Sequence, residues 1–133
     1  MSKKKIQPPF LKKGDEVAIV SPSWAISEDR INQAVVFLEE WGLKVRTGKN
    51  LLKKCGPFAG TDDERISDLN DMTGNSRIKA VFCSRGGYGL SRIIDRIDFA
   101  PLKSHPKWYA GVSGITRLHM WVNTGCGLSL INI

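Results

Sequence analysis

Short apolar runs alternate with amphipathic stretches along almost the whole chain, and that alternation leaves few folds open. Glu16-Val17-Ala18-Ile19-Val20 reads as a strand that runs into Ser21-Pro22-Ser23. Ser27 then caps a helix whose apolar residues Ile31, Ala34, Val35 and Leu38 recur at i, i+3, i+4 and i+7, and Gly42 ends it. Leu43 to Arg46 is a second strand, followed by a glycine-containing loop as far as Gly60. Thr61-Asp62-Asp63-Glu64 is a capping box that opens a second helix with Ile66, Leu69 and Met72 on its inner side and a break at Gly74-Asn75. Ile78 to Ser84 is a third strand, apolar through its middle as a strand covered on both faces should be. Arg85-Gly86-Gly87-Tyr88-Gly89 follows, and the spacing of Leu90, Ile93, Ile94 and Ile97 predicts a further helix. After Pro101 and Pro106, the short apolar run that begins at Lys107 and ends in Ser113 is a fourth strand. It turns at Ser113 into a helix with Ile115, Leu118, His119 and Val122 on one face, and Leu128 to Ile133 is a fifth strand. Such regular alternation predicts an α/β fold: a parallel sheet of about five strands with helices on both faces.

In open parallel sheets, ligands gather beyond the carboxyl ends of the strands, where the strand order reverses. Ser21-Pro22-Ser23, Arg85 to Gly89 and Ser113 all stand at such ends, so each gains weight as a functional segment from the company of the others. Gly111-Val112-Ser113-Gly114 is a relative of the Gly-x-Ser-x-Gly elbow, with its second glycine one residue early. A serine at the apex of a strand-to-helix turn lifts its hydroxyl off the sheet, beside the free N–H groups of the helix start. The same pair also suits a simple N-cap. As a nucleophile, Ser113 needs a base and a group to orient that base. The chain holds two histidines: His119 lies on an apolar helix face and reads as a packing residue, and nothing in the pattern brings His105 to Ser113. The backbone of Gly86 and Gly87 can approach a ligand closely and offer N–H groups to an anion. Arg85 suits a substrate carboxylate or a surface ion pair; Tyr88, Trp24 and Phe58 suit pocket walls, and Cys83 a small core position.

The totals narrow the function classes. With 133 residues, 41% hydrophobic and 25% charged, the chain is one globular domain long enough to bury a core. The net charge of +7 (20 basic against 13 acidic residues) owes much to five lysines in the first thirteen positions, a solvated terminus rather than a nucleic-acid face. An RNA-binding module would need a basic-aromatic surface and strongly salt-dependent binding. Cys55, Cys83 and Cys126 are far apart and odd in number, which fits reduced thiols in a cytoplasm and neither a disulfide framework nor a metal site. No apolar run approaches the ~20 residues of a membrane span, and no secretory leader is evident.

Several of these segments occur in the order seen in a known family. Lys13-Gly14-Asp15, Ser21-Pro22-Ser23, Phe58-Ala59-Gly60-Thr61-Asp62, Cys83-Ser84-Arg85-Gly86-Gly87-Tyr88-Gly89, Asp98-Phe99, Pro106-Lys107 and Gly111-Val112-Ser113 with Leu118-His119 together resemble the LD-carboxypeptidases. These are serine peptidases of the S66 type, which include murein tetrapeptide carboxypeptidases and microcin C immunity peptidases. The resemblance implies a flavodoxin-like N-terminal domain spanning residues 1–133, with Ser113 as nucleophile and backbone N–H groups of Gly114 and of Gly86 or Gly87 as the oxyanion hole. It further implies substrate contacts from Arg85, Tyr88, Ser21 and Ser23, a murein-peptide-like substrate that loses a terminal D-amino acid, and no metal or cofactor. The family's base histidine and orienting glutamate belong to a C-terminal domain absent from this chain. On this reading the chain is a truncated, cytoplasmic serine peptidase of murein recycling, inactive alone and a candidate homodimer through the face its missing domain leaves bare. Gly114 departs from the family, which usually carries aspartate there; the N–H survives the change, but a carboxylate in the first helical turn is lost. The competing expectation is a non-catalytic α/β domain that binds a small anionic or peptide ligand at the same strand ends.

Overall fold

The computed structural model describes residues 7–85, 89–111 and 131–132. Strand β1 (Glu16–Val20) lies between β2 (Lys44–Thr47) and β3 (Ile78–Cys83), and β4 (Trp108–Gly111) and β5 (Ile131–Asn132) extend the sheet beyond β3. All four pairings are parallel, and the order is β2-β1-β3-β4-β5. This is the flavodoxin-like order, and it reverses between β1 and β3.

Alternation along the strands divides the core in two. Val17 and Ile19 face helix α1 (Glu28–Glu40) in a cluster with Ile31, Leu38, Leu43, Leu51 and Ala80. Ala18 and Val20 face helix α2 (Asp62–Gly74) in a larger cluster with Ile66, Leu69, Val81, Leu90, Ile93 and Tyr109. Ile78 and Ala80 are two residues apart yet belong to opposite clusters. The register slips there: Glu16 pairs with Ile78 but Val17 with Ala80, so β3 carries one residue more than β1 and changes face.

Both helix starts form as their sequences predict. Ser27 Oγ accepts the Arg30 N–H at 3.4 Å, and Thr61 and Glu64 exchange both bonds of the capping box. Helix α1 ends in a Schellman turn, with Gly42 N–H donating to the Glu39 carbonyl and Leu43 N–H to that of Leu38. Leu43 is thereby drawn into the helix end, and β2 starts one residue later than its apolar run suggested.

One expected element is different. Leu90, Ile93, Ile94 and Ile97 are all buried, but no α-helix carries them. Two 3-10 turns and their C-caps do so instead, at Leu90–Arg92 and Ile94–Arg96, and a third turn follows at Ala100–Lys103. The spacings 90–93 and 94–97 fit a three-residue repeat as well as a helical one, and three β-branched isoleucines favour leaving the α-helix.

Lys107, at the foot of β4, is fully buried, and its Nζ donates to the carbonyls of Asn75 (2.6 Å) and Ile78 (2.8 Å). It ties the α2–β3 turn to β4. Burial, reinforced by Lys79, lowers its pKa to about 8 from 10.5. Between pH 8 and 10.5 the unfolded chain therefore holds a proton that the folded one has released, so this residue makes stability rise with pH across that window. Cys83, whose thiol burial pushes up from 9.0 to about 12, acts in the opposite sense above pH 9. Urea midpoints at pH 7.5 and 9.5 should show a more positive pH slope for the native chain than for Lys107→Met; equal slopes would contradict this.

Candidate active site

The carboxyl ends of β1 and β3 meet at the point where the strand order reverses. Ser84 N–H donates to the Val20 carbonyl at 2.8 Å, prolonging the ladder by one bond. Directly above it, the Ser21 and Ser84 hydroxyls are hydrogen-bonded at 2.6 Å. Ser23 is fully buried, and its hydroxyl has no hydrogen-bond partner among the described residues. A buried hydroxyl left unpaired costs on the order of 1–3 kcal/mol, so such groups call for an explanation. Two of the three serines expected at this edge thus face their roles differently: Ser21 is committed to Ser84, while Ser23 keeps its bonding capacity.

The loop after β1 is zipped to the loop before α2. Ala25 N–H donates to Pro57 and Ala59 N–H to Ser23, both at 2.9 Å, with a bridge between Trp24 and Phe58. Arg85 leaves β3 into this arrangement. Its Nη1 donates to the Ala25 carbonyl at 3.1 Å and its guanidinium lies 5.2 Å from the centre of the Trp24 ring. It forms no ion pair among the described residues, and most of its donors stay available there. Cys83 packs against the larger core cluster, and with its thiol raised to about 12 it is no nucleophile.

Phe58 forms one wall of an adjoining cleft of about 590 Å³, shared with Thr61, Asp62, Arg65, Arg92 and Arg96. Arg65 and Asp62 carry a role that pattern reading missed. Arg65 is buried in α2, donates from Nη1 to the Pro22 carbonyl at 3.2 Å and pairs with Asp62. Its guanidinium lies 4.9 Å from the Phe58 centroid. Asp62 also accepts a two-pronged bond from Arg92, which holds its carboxyl below the usual range. The one available signal was that Arg65 lies four residues before Leu69 and so shares its inward face, where an arginine is ordinarily read as turned outward.

Ser113, Gly114, Gly86, Gly87 and Tyr88 lie outside the described residues; β4 ends at Gly111, two positions before the serine. His105 is exposed in the segment leading into β4, at the amino edge of the sheet and across it from the serines. The described histidine is therefore not placed to serve as a base. Among the described residues no group of three His, Cys, Asp or Glu side chains comes together as a metal site, and no helix is long and apolar enough to cross a membrane.

Residues 17–132 match the family model of the LD-carboxypeptidase N-terminal domain, Peptidase_S66. The chain belongs to the LD-carboxypeptidase family. It is 42% identical over 122 residues to a probable murein peptide carboxypeptidase of Bacillus subtilis, covering 92% of this chain and 38% of that protein. To the murein tetrapeptide carboxypeptidase of Pseudomonas aeruginosa it is 30% identical over 126 residues, covering 85% and 41%. In structure it resembles the microcin C7 self-immunity protein MccF in complex with aspartyl sulfamoyl adenosine, with a TM-score of 0.86 and 25% identity, over 96% of this chain and 38% of MccF. The chain thus spans about two-fifths of the length of these LD-carboxypeptidase relatives.

Proposed function

We propose that this chain is the nucleophile-bearing domain of a serine LD-carboxypeptidase that removes the terminal D-amino acid of a murein tetrapeptide. The observation that carries the reading is the family match across residues 17–132, together with relatives named for that reaction. In the complete enzyme Ser113 attacks the amide carbonyl, and N–H groups of Gly114 and of Gly86 or Gly87 take the charge of the tetrahedral oxyanion. Arg85 has donors to spare for a substrate carboxylate, steadied by Trp24 and the Ala25 carbonyl. The Ser23 hydroxyl, fully buried and without a partner among the described residues, backs the reversal point, with Tyr88 as a wall. Histidine and glutamate from a C-terminal domain would take the serine's proton and orient the base, as the family implies.

The 133-residue chain by itself is expected to release no D-alanine from murein tetrapeptide, because it carries one member of a three-part catalytic unit. Joined to a C-terminal domain that supplies the histidine and glutamate, it is expected to do so. Free D-alanine, followed by a D-amino-acid oxidase assay, distinguishes the cases. Release by the 133-residue chain alone would contradict the division of labour, and no release by the longer protein would contradict the function.

A further inference from the structure

We propose that Arg65 is a positioning residue for this site: with Asp62 and Arg92 it clamps the three loops that meet at the carboxyl edge of the sheet. The inference rests on the reading given under Proposed function. One guanidinium touches all three loops. Its Nη1 bonds to Pro22 after β1, its face stacks on Phe58 before α2, and a Cβ on Gly89, after β3, would stand 2.6 Å from that same Nη1. Asp62 couples it to Arg92, which lies in the 3-10 turn that opens directly after Gly89, through bonds of 3.1 and 3.2 Å. On the opposite flank, the Ser21–Ser84 bond and the Ser84 N–H bond to Val20 hold the chain where it leaves β3. Ser84 and Arg85 on one side, and Gly89 and Arg92 on the other, are therefore tied to the loops after β1 and before α2.

The placement serves geometry better than stability. Arg65 is 1% exposed, burial lowers its pKa against the opposing pull of Asp62, and its Nε lacks a partner among the described residues. A buried, incompletely bonded cation is a poor stabiliser beside an apolar side chain of the same size. Oxyanion donors and substrate contacts, by contrast, must be held to a fraction of an ångström. A planar fork can bond one loop, pair with a carboxylate and stack on a ring at the same time, which an ammonium cannot do.

The test uses this chain joined to a C-terminal domain that supplies the histidine and glutamate, as under Proposed function. Arg65→Lys is expected to lower kcat on murein tetrapeptide about 10- to 100-fold with KM changed by less than about threefold, and Asp62→Asn to act in the same direction. Arg46→Gln, which removes an exposed ion pair to Glu16 at the edge strand, should leave both constants unchanged. Native kcat in Arg65→Lys, or a kcat loss no larger than the loss of folded protein, would overturn the proposal. If the native protein releases no D-alanine, the functional reading fails on its own, and hydrogen exchange in the 133-residue chain still decides the clamp. There Arg65→Lys should speed amide exchange about tenfold or more in peptides covering 21–25 and 85–92 and leave 31–40 unchanged. Uniform acceleration, or none, would overturn it.

Discussion

Replacing Ser113 by alanine in the longer enzyme is expected to cut D-alanine release by a factor on the order of 10⁴–10⁶. The loss is so large because the hydroxyl is where the covalent bond forms; without it neither the base nor the oxyanion donors have a nucleophile to assist. Substrate affinity should change little, since the missing atom contributes mainly in the transition state. Reaction with a fluorophosphonate probe, which reports the activated serine without any peptide, should vanish in parallel. The competing reading of this domain as a non-catalytic binder predicts otherwise. Ligand binding would then be indifferent to Ser113→Ala and weakened by bulky residues at Gly86 or Gly87. Undiminished D-alanine release by Ser113→Ala would refute the nucleophile assignment outright.

Gly89→Ala is expected to destabilise the fold by about 2–5 kcal/mol, the sum of a backbone cost and a packing cost. The residue sits at φ +115°, where a side chain costs about 1–2 kcal/mol. The added Cβ would also meet Arg65 Nη1 at 2.6 Å and the Phe58 ring at 2.9 and 3.0 Å, an overpacking worth a further ~1–3 kcal/mol. Gly14→Ala is the matched control: Gly14 has φ +90°, but a Cβ there would find nothing within 4 Å, so only the backbone cost applies. Urea unfolding of the two variants separates the two contributions. If Gly89→Ala were as stable as Gly14→Ala, the close packing of this glycine on Arg65 would carry no energy. The last glycine of the Arg85–Gly89 run is thus explained by a protein side chain, a reason that pattern alone does not show.

Gly89 shows where the chain read in one dimension stops. The helix caps, the strand β1 and the apolar faces of α1 and α2 were legible because each is decided by residues within four positions of one another. The same locality limits the 90–97 segment: the spacing gives its inward residues, but i, i+3 spacing does not separate a 3-10 repeat from an α-helix. The burial of Arg65 and Lys107 is not visible in the sequence, because a charged residue in a helix or at a strand end is ordinarily solvated. Nothing nearby in the sequence announces the Pro22, Asn75 or Ile78 carbonyls that receive them.

By itself, then, the sequence determined the alternation of strands and helices, the parallel sheet, the family and the three segments worth attention. Those follow from local periodicity and from motif order, which need no third dimension. Only the tertiary structure decided the strand order that brings Ser21 beside Ser84 across 63 residues, and Arg85 beside Ala25 across 60. It alone decided that a buried arginine, 43 residues from the carbonyl it bonds, should hold the loops together. Pairings at that separation are selected by how whole faces pack and by which polar groups burial leaves in need of partners.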